Sequence, residues 1–372
     1  MVKITHLTSA HPRYDTRIFV KMCCSLARIE GYNVSLIVAD GKGDEIKNGV
    51  SIIDIGIDKS GRIARMTKTV QNVYRQALHL DSDIYHLHDP ELLTIALKLK
   101  KQGKKVIFDS HEDYPKQLLN KPYLSPFAAK TLSFVFTHYQ KYICSRIDAL
   151  VTATPYIRDQ LLTVNSNTVD INNFPIIEEF AHPIAWNFKK NEVVYLGAIA
   201  AVRGIKEMTL AMGLVKNARL NLGGIVHEDD TYKEVQSYDG WKNVNELGFL
   251  NRNEVAQILS NSKAGLVTLH PTSNYPDALP VKMFEYMIAG IPVIASNFPL
   301  WQEIVEGNQC GICVNPLDPK AIVEAINWII DHPIEAEAMG ENGINAVKNL
   351  YNWGKEEKKL FALYSNLSRN LK

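Results

Sequence analysis

Residues 270–303 read HPTSNYPDALPVKMFEYMIAGIPVIASNFPLWQE, and the order of residue types along them decides the fold. The stretch holds a strand end, a polar loop, a helix that opens at Pro280 and stops at Gly290, and a second strand over 292–296. Proline in a first helical turn costs no hydrogen bond, because its missing N–H would have been unpaired, and glycine past the last turn takes the left-handed conformation readily. Met283, Phe284 and Met287 form one face of this helix; Lys282 and Glu285, one turn apart, form another. A lysine and a glutamate near the start of a helix that follows a parallel strand point into the cleft where such sheets bind ligands. The free N–H groups there suit a phosphate, and the carboxylate can accept hydrogen bonds from a ribose diol. An ordinary solvated ion pair is the alternative reading of the same two residues.

The run PVKMFEYMIAGIPVIASNFPLWQEIVEG, residues 280–307, resembles the donor-site motif of the family-four retaining glycosyltransferases of GT-B fold, bacterial surface-polysaccharide type. The resemblance implies an α/β chain of two doubly wound Rossmann-like domains facing a central cleft. It implies a nucleotide-sugar donor of UDP or GDP type, a glycan or lipid-linked acceptor, and transfer with retention of configuration. Glu285 matches the family's ribose-binding glutamate, and Asp277, eight positions earlier, stands at the spacing of a second acid near the sugar.

The 372 residues suit two domains of common size, and 46% apolar with 22% charged residues describe a globular chain. A net charge of +1 gives no global reason to expect nucleic acid. The N-terminus MVKITHLTSAHPRYD lacks the apolar core of a signal peptide and no run is long enough to span a bilayer, so a cytoplasmic protein is expected, peripheral at most on the inner face of a membrane. Cys23, Cys24, Cys144, Cys310 and Cys313 are odd in number and scattered, which argues against a disulfide framework. Cys310 and Cys313 form a CxxC without a second pair, so buried packing outweighs zinc or redox chemistry there.

From the N-terminus, residues 3–7 alternate as a strand, Phe19, Met22, Cys23, Leu26 and Ala27 recur at helical spacing, and 33–39 and 50–57 supply two more strands. Strand, helix and strand in succession indicate a parallel sheet with right-handed crossovers. The first loop, TSAHPRYDTR, has no glycine, which counts against a close backbone approach to a pyrophosphate and strongly against a nicotinamide dehydrogenase. Arg13 and Arg17 of that loop can meet an acceptor phosphate by charge, or face solvent beside an Asp15 cap. Residues 59–75 carry Lys59, Arg62, Arg65, Lys68 and Arg75 with no acid, while Ile63, Met66, Val70, Val73 and Ala77 fall at helical spacing. This is a basic amphipathic helix with an apolar core face, and its other face suits an anionic membrane surface or water. Residues 124–146, with Phe127, Phe134, Phe136 and Tyr139 among lysines, serve the same surface or pack.

Two strands end in polar residues where the cleft of an open parallel sheet lies: 84–88, running into HDPELL, and 106–108, running into DSHEDYP. His86 and His88 alternate onto one face of the first strand, and His111, Glu112 and Asp113 lie just beyond the second, a polar patch out of proportion to capping needs. The resemblance implies that His111 faces the transferred sugar; Asp89 and Glu91 contact the acceptor or cap their helix. A metal is not expected, because no Asp-x-Asp clamp follows a strand and the DSD at Asp81 to Asp83 precedes one.

Residues 172–191 are proline-bearing and aperiodic and read as a linker, which sets an acceptor domain at 1–175, a linker at 176–191 and a donor domain at 192–354, with a C-terminal helix at 355–372 completing the first domain. In the second half, strands are expected at 193–196, 220–223, 244–247, 265–269, 292–295 and 312–314. After the first of them, YLGAIAAVRGIKEM places Gly197 and Gly204 about a turn and Arg203 and Lys206 at a helix opening, where a diphosphate is neutralised. The resemblance implies a further cation where Ala198 stands, for which Lys206 or Lys282 can compensate. The resemblance further implies that Gly248, Phe249 and Leu250 meet the nucleobase through their backbone. The function expected is a metal-independent sugar transferase in which Arg203, with His111 and Asp277, serves the chemistry. Two rivals are a sugar-nucleotide epimerase or hydrolase on the same fold and a non-catalytic nucleotide-sugar-binding protein.

Overall fold

The computed structural model describes residues 1–58, 61, 64–119, 121, 124–180, 184–369 and 371. Lys59, Arg62 and Ile63 of the basic stretch lie outside the described residues. The chain divides into two compact units, Met1–Asn173 with Gly354–Lys372, and Phe174–Trp353.

The first unit is built on an eight-stranded sheet of order β3-β4-β2-β1-β5-β6-β7-β8. The strands are β1 Val2–Leu7, β2 Tyr32–Val38, β3 Glu45–Lys47, β4 Val50–Asp54, β5 Ile84–Leu87, β6 Lys105–Ser110, β7 Ala149–Thr152 and β8 Thr168–Asp170. Helices cover both faces, so β5 and β7 are buried at every position, His86 of β5 included. The edge strand β3, unforeseen from its charged residues, runs antiparallel to β4. Its signal was the Asn48-Gly49 pair, whose φ angles of 51° and 78° make the tight two-residue hairpin turn that this dipeptide favours. The helix after β1 opens with wide π turns over Thr16–Cys23 and continues as an α-helix over Cys24–Ala27; Asp15 caps it by accepting from the Arg17 and Ile18 N–H groups. Leu360, Leu363, Tyr364 and Leu367 of the last helix, Trp353–Arg369, are buried.

In the second unit all six strands are parallel, in the order β11-β10-β9-β12-β13-β14. They are β9 Glu192–Leu196, β10 Arg219–Gly223, β11 Val244–Gly248, β12 Ala264–Val267, β13 Val293–Ser296 and β14 Gly311–Val314. The helix read from residues 280–290 spans Val281–Ile288 with Pro280 as its N-cap. Its two-faced reading needs correction: Met283 through Ile288 are all buried, Glu285 included, because the helix Pro333–Asn349 packs along the side opposite the sheet. The aperiodic segment after Asn173 joins this unit's interior, with Phe174, Phe180 and Trp186 buried in its apolar clusters. All five cysteines are free, and burial pushes the Cys310 and Cys313 thiols up to about 12.

Each sheet is wound outward in both directions from a central pair, β1 and β5 in the first unit, β9 and β12 in the second. Loops leaving such strands diverge at their carboxyl ends and open a crevice.

Candidate functional sites

In the second unit the crevice is stitched by backbone bonds between successive strand ends. The Gly197 N–H donates to the Gly223 carbonyl at 2.9 Å, and the Gly224 N–H to the Gly248 carbonyl at 2.7 Å. A side chain at Gly224 would lie 1.8 Å from the Gly197 carbonyl, and one at Gly197 would lie 2.5 Å from the Lys282 ammonium; φ is +144° and +146° at the two. Only glycine fits both. These residues, with Ala198, Phe249 and Leu250, line a cavity of about 300 Å³. The Phe249 ring is 75% exposed, a sterically free face for a flat ligand.

Lys282 lies at the opening of its helix, and its ammonium sits 3.8 Å over the Tyr195 ring. Burial first, and then the charge of Arg203, hold its pKa well below the usual lysine range, although Glu285 opposes them. Arg203 in turn lies 4.9 Å over the Tyr275 ring. Two cations thus converge beside a glycine backbone, and an anion placed there relieves their mutual repulsion. Lys206 belongs elsewhere in the structure: its ammonium is 2.6 Å from Glu234, on the helix Asp229–Gln236. The phase of its helix explains this, since burying Ile205 and Met208 turns the intervening position outward.

Glu285 accepts from the Arg252 guanidinium at 2.7 Å, and Arg252 also pairs with Glu179. Arg252 escaped sequence reading. It is the first residue of a helix with a capping box between Asn251 and Glu254, a signature present in the stretch NRNE directly after Gly248, Phe249 and Leu250. Asp277 stands in the turn before the helix Val281–Ile288, partly buried, two residues from Tyr275; it does not line the 300 Å³ cavity.

The first unit holds a second cavity, of about 410 Å³, at the carboxyl ends of β1, β5 and β6. His88, Asp89, Glu91, Asp109, His111 and Glu112 line it together with His11, which sequence reading passed over. The Asp89 carboxylate takes up the turn after β1: the Thr8 hydroxyl donates to it at 2.8 Å, the Ser9 N–H at 2.6 Å, and His11 Nδ1 lies at 2.9 Å. Burial works against this charge, but the His11 hydrogen bond and the other donors outweigh it and hold the carboxyl well below the usual range. For His11 the same balance runs the other way: burial lowers, Asp89 raises more, and the pKa ends above its ordinary value. Asp89 therefore orients an imidazole. It makes no cap bond to the helical turn that follows it.

Behind this lies a second carboxylate and histidine group. Asp109 receives the Arg17 guanidinium at 2.9 and 2.7 Å and lies 3.3 Å from His88 Nδ1 and 3.2 Å from His111 Nε2. His88 Nε2 meets His6 Nδ1 at 2.8 Å, and the Tyr364 hydroxyl lies 3.2 Å from His6 and 2.9 Å from His86. Burial, the largest influence, pushes His88 down to about 4. The imidazoles of His11 and His111 are 5.0 Å apart at the cavity wall. His88, Asp109 and His111, and likewise His6, His86 and His88, bring ligand atoms close enough to hold a small cation. In the first group the Asp109 carboxylate is already engaged by Arg17, so such an ion would have to displace part of a satisfied network.

The arginines of the first loop differ from both sequence readings. They face neither solvent nor the cavity: Arg13 is buried against Asp40 at 2.7 Å and Glu45 at 3.3 Å, and Arg17 against Asp109 and the Ile171 carbonyl. A guanidinium sequestered from water needs a carboxylate, and the strand ends supply one to each. The Asp15 cap is present as read.

Two family models match the chain. Residues 16–171 match the model described as Glycosyltransferase Family 4, and residues 177–346 the model described as Glycosyl transferases group 1. Among curated proteins, D-rhamnosyltransferase WbpZ of Pseudomonas aeruginosa is 27% identical over 113 residues, a match that spans 30% of this chain and 29% of that protein's length. Among solved structures, a sucrose-phosphate synthase from Thermosynechococcus elongatus superposes with a TM-score of 0.78 at 18% identity, all of both chains being covered. Anabaena Alr3699/HepE, solved with UDP and glucose, gives 0.75 at 13% identity, covering 98% of this chain and 100% of its own. The first part of the chain is thus similar to Glycosyltransferase Family 4 domains and the second to Glycosyl transferases group 1 domains, and the fold is GT-B.

Proposed function

We propose that this glycosyltransferase moves a sugar from a nucleotide-sugar donor to a hydroxyl of a glycan or lipid-linked acceptor, with retention of configuration, in the assembly of a cell-surface polysaccharide. The observation that carries the reading is the convergence of Arg203 and Lys282 beside the glycine backbone at Gly197. Breaking the anomeric bond leaves negative charge on the diphosphate, and two preorganised cations in a site screened from water stabilise it more than solvent would. Lys282 stands against Gly197, which lines the cavity together with Phe249 and Leu250, where the base stacks, while Glu285, held by Arg252, meets the ribose. In this reading the diphosphate needs no metal, and Asp277 approaches the sugar from the turn after β12.

The acceptor binds in the first unit, at the cavity of His11, His88, Asp89 and His111. With Nδ1 of His11 tied to Asp89, the other ring nitrogen is left to meet an acceptor hydroxyl, as in carboxylate-oriented imidazoles generally. His111, oriented by Asp109, positions the transferred sugar. The UDP and glucose bound by HepE support a UDP sugar, and the name of WbpZ supports adding nucleotide-linked D-rhamnose to the donors tried.

The test is thermal stabilisation by a panel of nucleoside diphosphates and their sugars, with Glu285→Ala and Lys282→Met alongside. One nucleotide should raise the melting temperature of the wild-type chain and of neither variant. No shift with any nucleotide would remove the donor site. Donor turnover at full rate without an acceptor would replace the transferase by a hydrolase or epimerase.

A further inference from the structure

The helix Pro126–Cys144 is held to the first unit by Ala129, Gln140, Ile143 and Cys144, which are buried. Its outer side is apolar and open: Phe127 is 81% exposed, Phe134 66%, Val135 57% and Tyr142 52%. Aromatic side chains of this size are normally interior, and here the fold does not use them. Lys130, Lys141 and Arg146 are exposed among them, the Arg146 guanidinium 3.8 Å over the Tyr142 ring. Not one acid occurs in residues 114–147. A merely solvated helix mixes both signs of charge, and this one does not.

Charge decides the occupant. A second copy meeting this face across a two-fold axis would set Lys130, Lys141 and Arg146 against the same three cations with no carboxylate in the segment to separate them. An anionic bilayer supplies what the face lacks, phosphates at the level of the cations and a boundary region into which phenylalanines insert while Lys and Arg reach outward. The basic stretch upstream is a poorer candidate, because Arg65 pairs with Glu91 at 3.0 Å and Lys68 with Asp58 at 3.2 Å. The face also adjoins a functional cavity. The helix Tyr114–Leu119 contributes Tyr114 and Gln117 to the 410 Å³ pocket and packs on Pro126–Cys144, with the Tyr114 and Phe136 rings 4.7 Å apart and the Ser133 hydroxyl donating to the Pro115 carbonyl at 2.8 Å.

We infer that the outer face of Pro126–Cys144 docks on an anionic lipid bilayer, Phe127, Phe134 and Val135 entering the headgroup boundary and Lys130, Lys141 and Arg146 meeting lipid phosphates. The helix lies in the membrane plane. This docking goes beyond the sugar-transfer reading and holds whichever acceptor the cavity takes.

Flotation of the full chain with vesicles tests it, using phosphatidylcholine alone and phosphatidylcholine with one quarter phosphatidylglycerol. The chain should float with the anionic vesicles only, less so at high salt. Lys130→Glu, Lys141→Glu and Arg146→Glu together should lower binding by about 100-fold or more, from about 1 kcal/mol for each cation at an anionic surface. Phe127→Ser with Phe134→Ser should lower it without altering the salt dependence of what remains. All five residues are exposed, so both variants should melt as wild type and keep any stabilisation by nucleotide, which reads the second unit separately. If one variant misfolds, the other decides together with the lipid dependence of the wild type. Failure to float with anionic vesicles, equal flotation with neutral ones, or flotation unchanged in both variants overturns the inference. So does a dimer by light scattering that Phe134→Ser dissolves, which would give the face to a second copy.

Discussion

Lys282 presses its ammonium against the backbone of Gly197, and two predictions follow from that contact. In Gly197→Ala the new methyl would stand 2.5 Å from the ammonium at a φ of +146°, so the lysine must leave. Stabilisation by nucleotide should vanish while the folded baseline drops by roughly 1–3 kcal/mol, measured by denaturant titration of the same variant. The depressed pKa of Lys282 has its own signature. A diphosphate favours the charged amine, so nucleotide binding should take up a proton at a pH below the ordinary lysine range, where the free site leaves the amine uncharged. Calorimetry in buffers of different ionisation enthalpy should show that uptake, and Lys282→Met should abolish it. At the other site Asp109→Asn leaves Arg17 buried without its carboxylate; a loss of about 3–5 kcal/mol is expected in urea unfolding, because the charge left behind is not resolvated.

The elements that matter most for pH are β1 and β5, whose adjacent positions His6 and His86 stack with His88 in an interior without bulk water. Burial lowers all three, His88 to about 4, so the folded chain keeps them neutral while the unfolded chain protonates them near 6.5. Stability present above pH 6.5 is therefore lost as pH falls toward about 4, by as much as about 1.4 kcal/mol per pH unit for each histidine. His11 works in the opposite direction: its pKa is raised, so its contribution is full below 6.5 and lost as pH rises through the folded value. Asp89 and Asp109 are depressed, and their contributions fade only at still lower pH. Three histidines outweigh one. The first unit should melt at progressively lower temperature from pH 6.5 to 4.5, which scanning calorimetry across that range checks.

At the scale of the whole molecule, the chain ends where it began. Gly354–Lys372 returns to the first unit, where Tyr364 joins His6 and His86, and Glu356 accepts from the Asn172 N–H. Deleting residues 354–372 should abolish the first unit's calorimetric transition while leaving that of 174–353, since the deletion opens a core lined by Leu360, Leu363 and Leu367 and orphans two buried imidazoles. The sequence by itself determined the two doubly wound sheets, because strand and helix periods and the Pro280 and Gly290 boundaries are local properties that each segment carries alone. It also determined which strand ends are polar, and hence where the cavities lie. Only the tertiary structure decided which charges were free to act there. Arg13, Arg17 and Lys206 read in sequence as available cations, yet Asp40, Asp109 and Glu234, each distant along the chain, neutralise them, while Arg252 and His11 enter the sites through partners just as remote. Ion pairing acts through space over a few ångströms, so no local pattern records who meets whom.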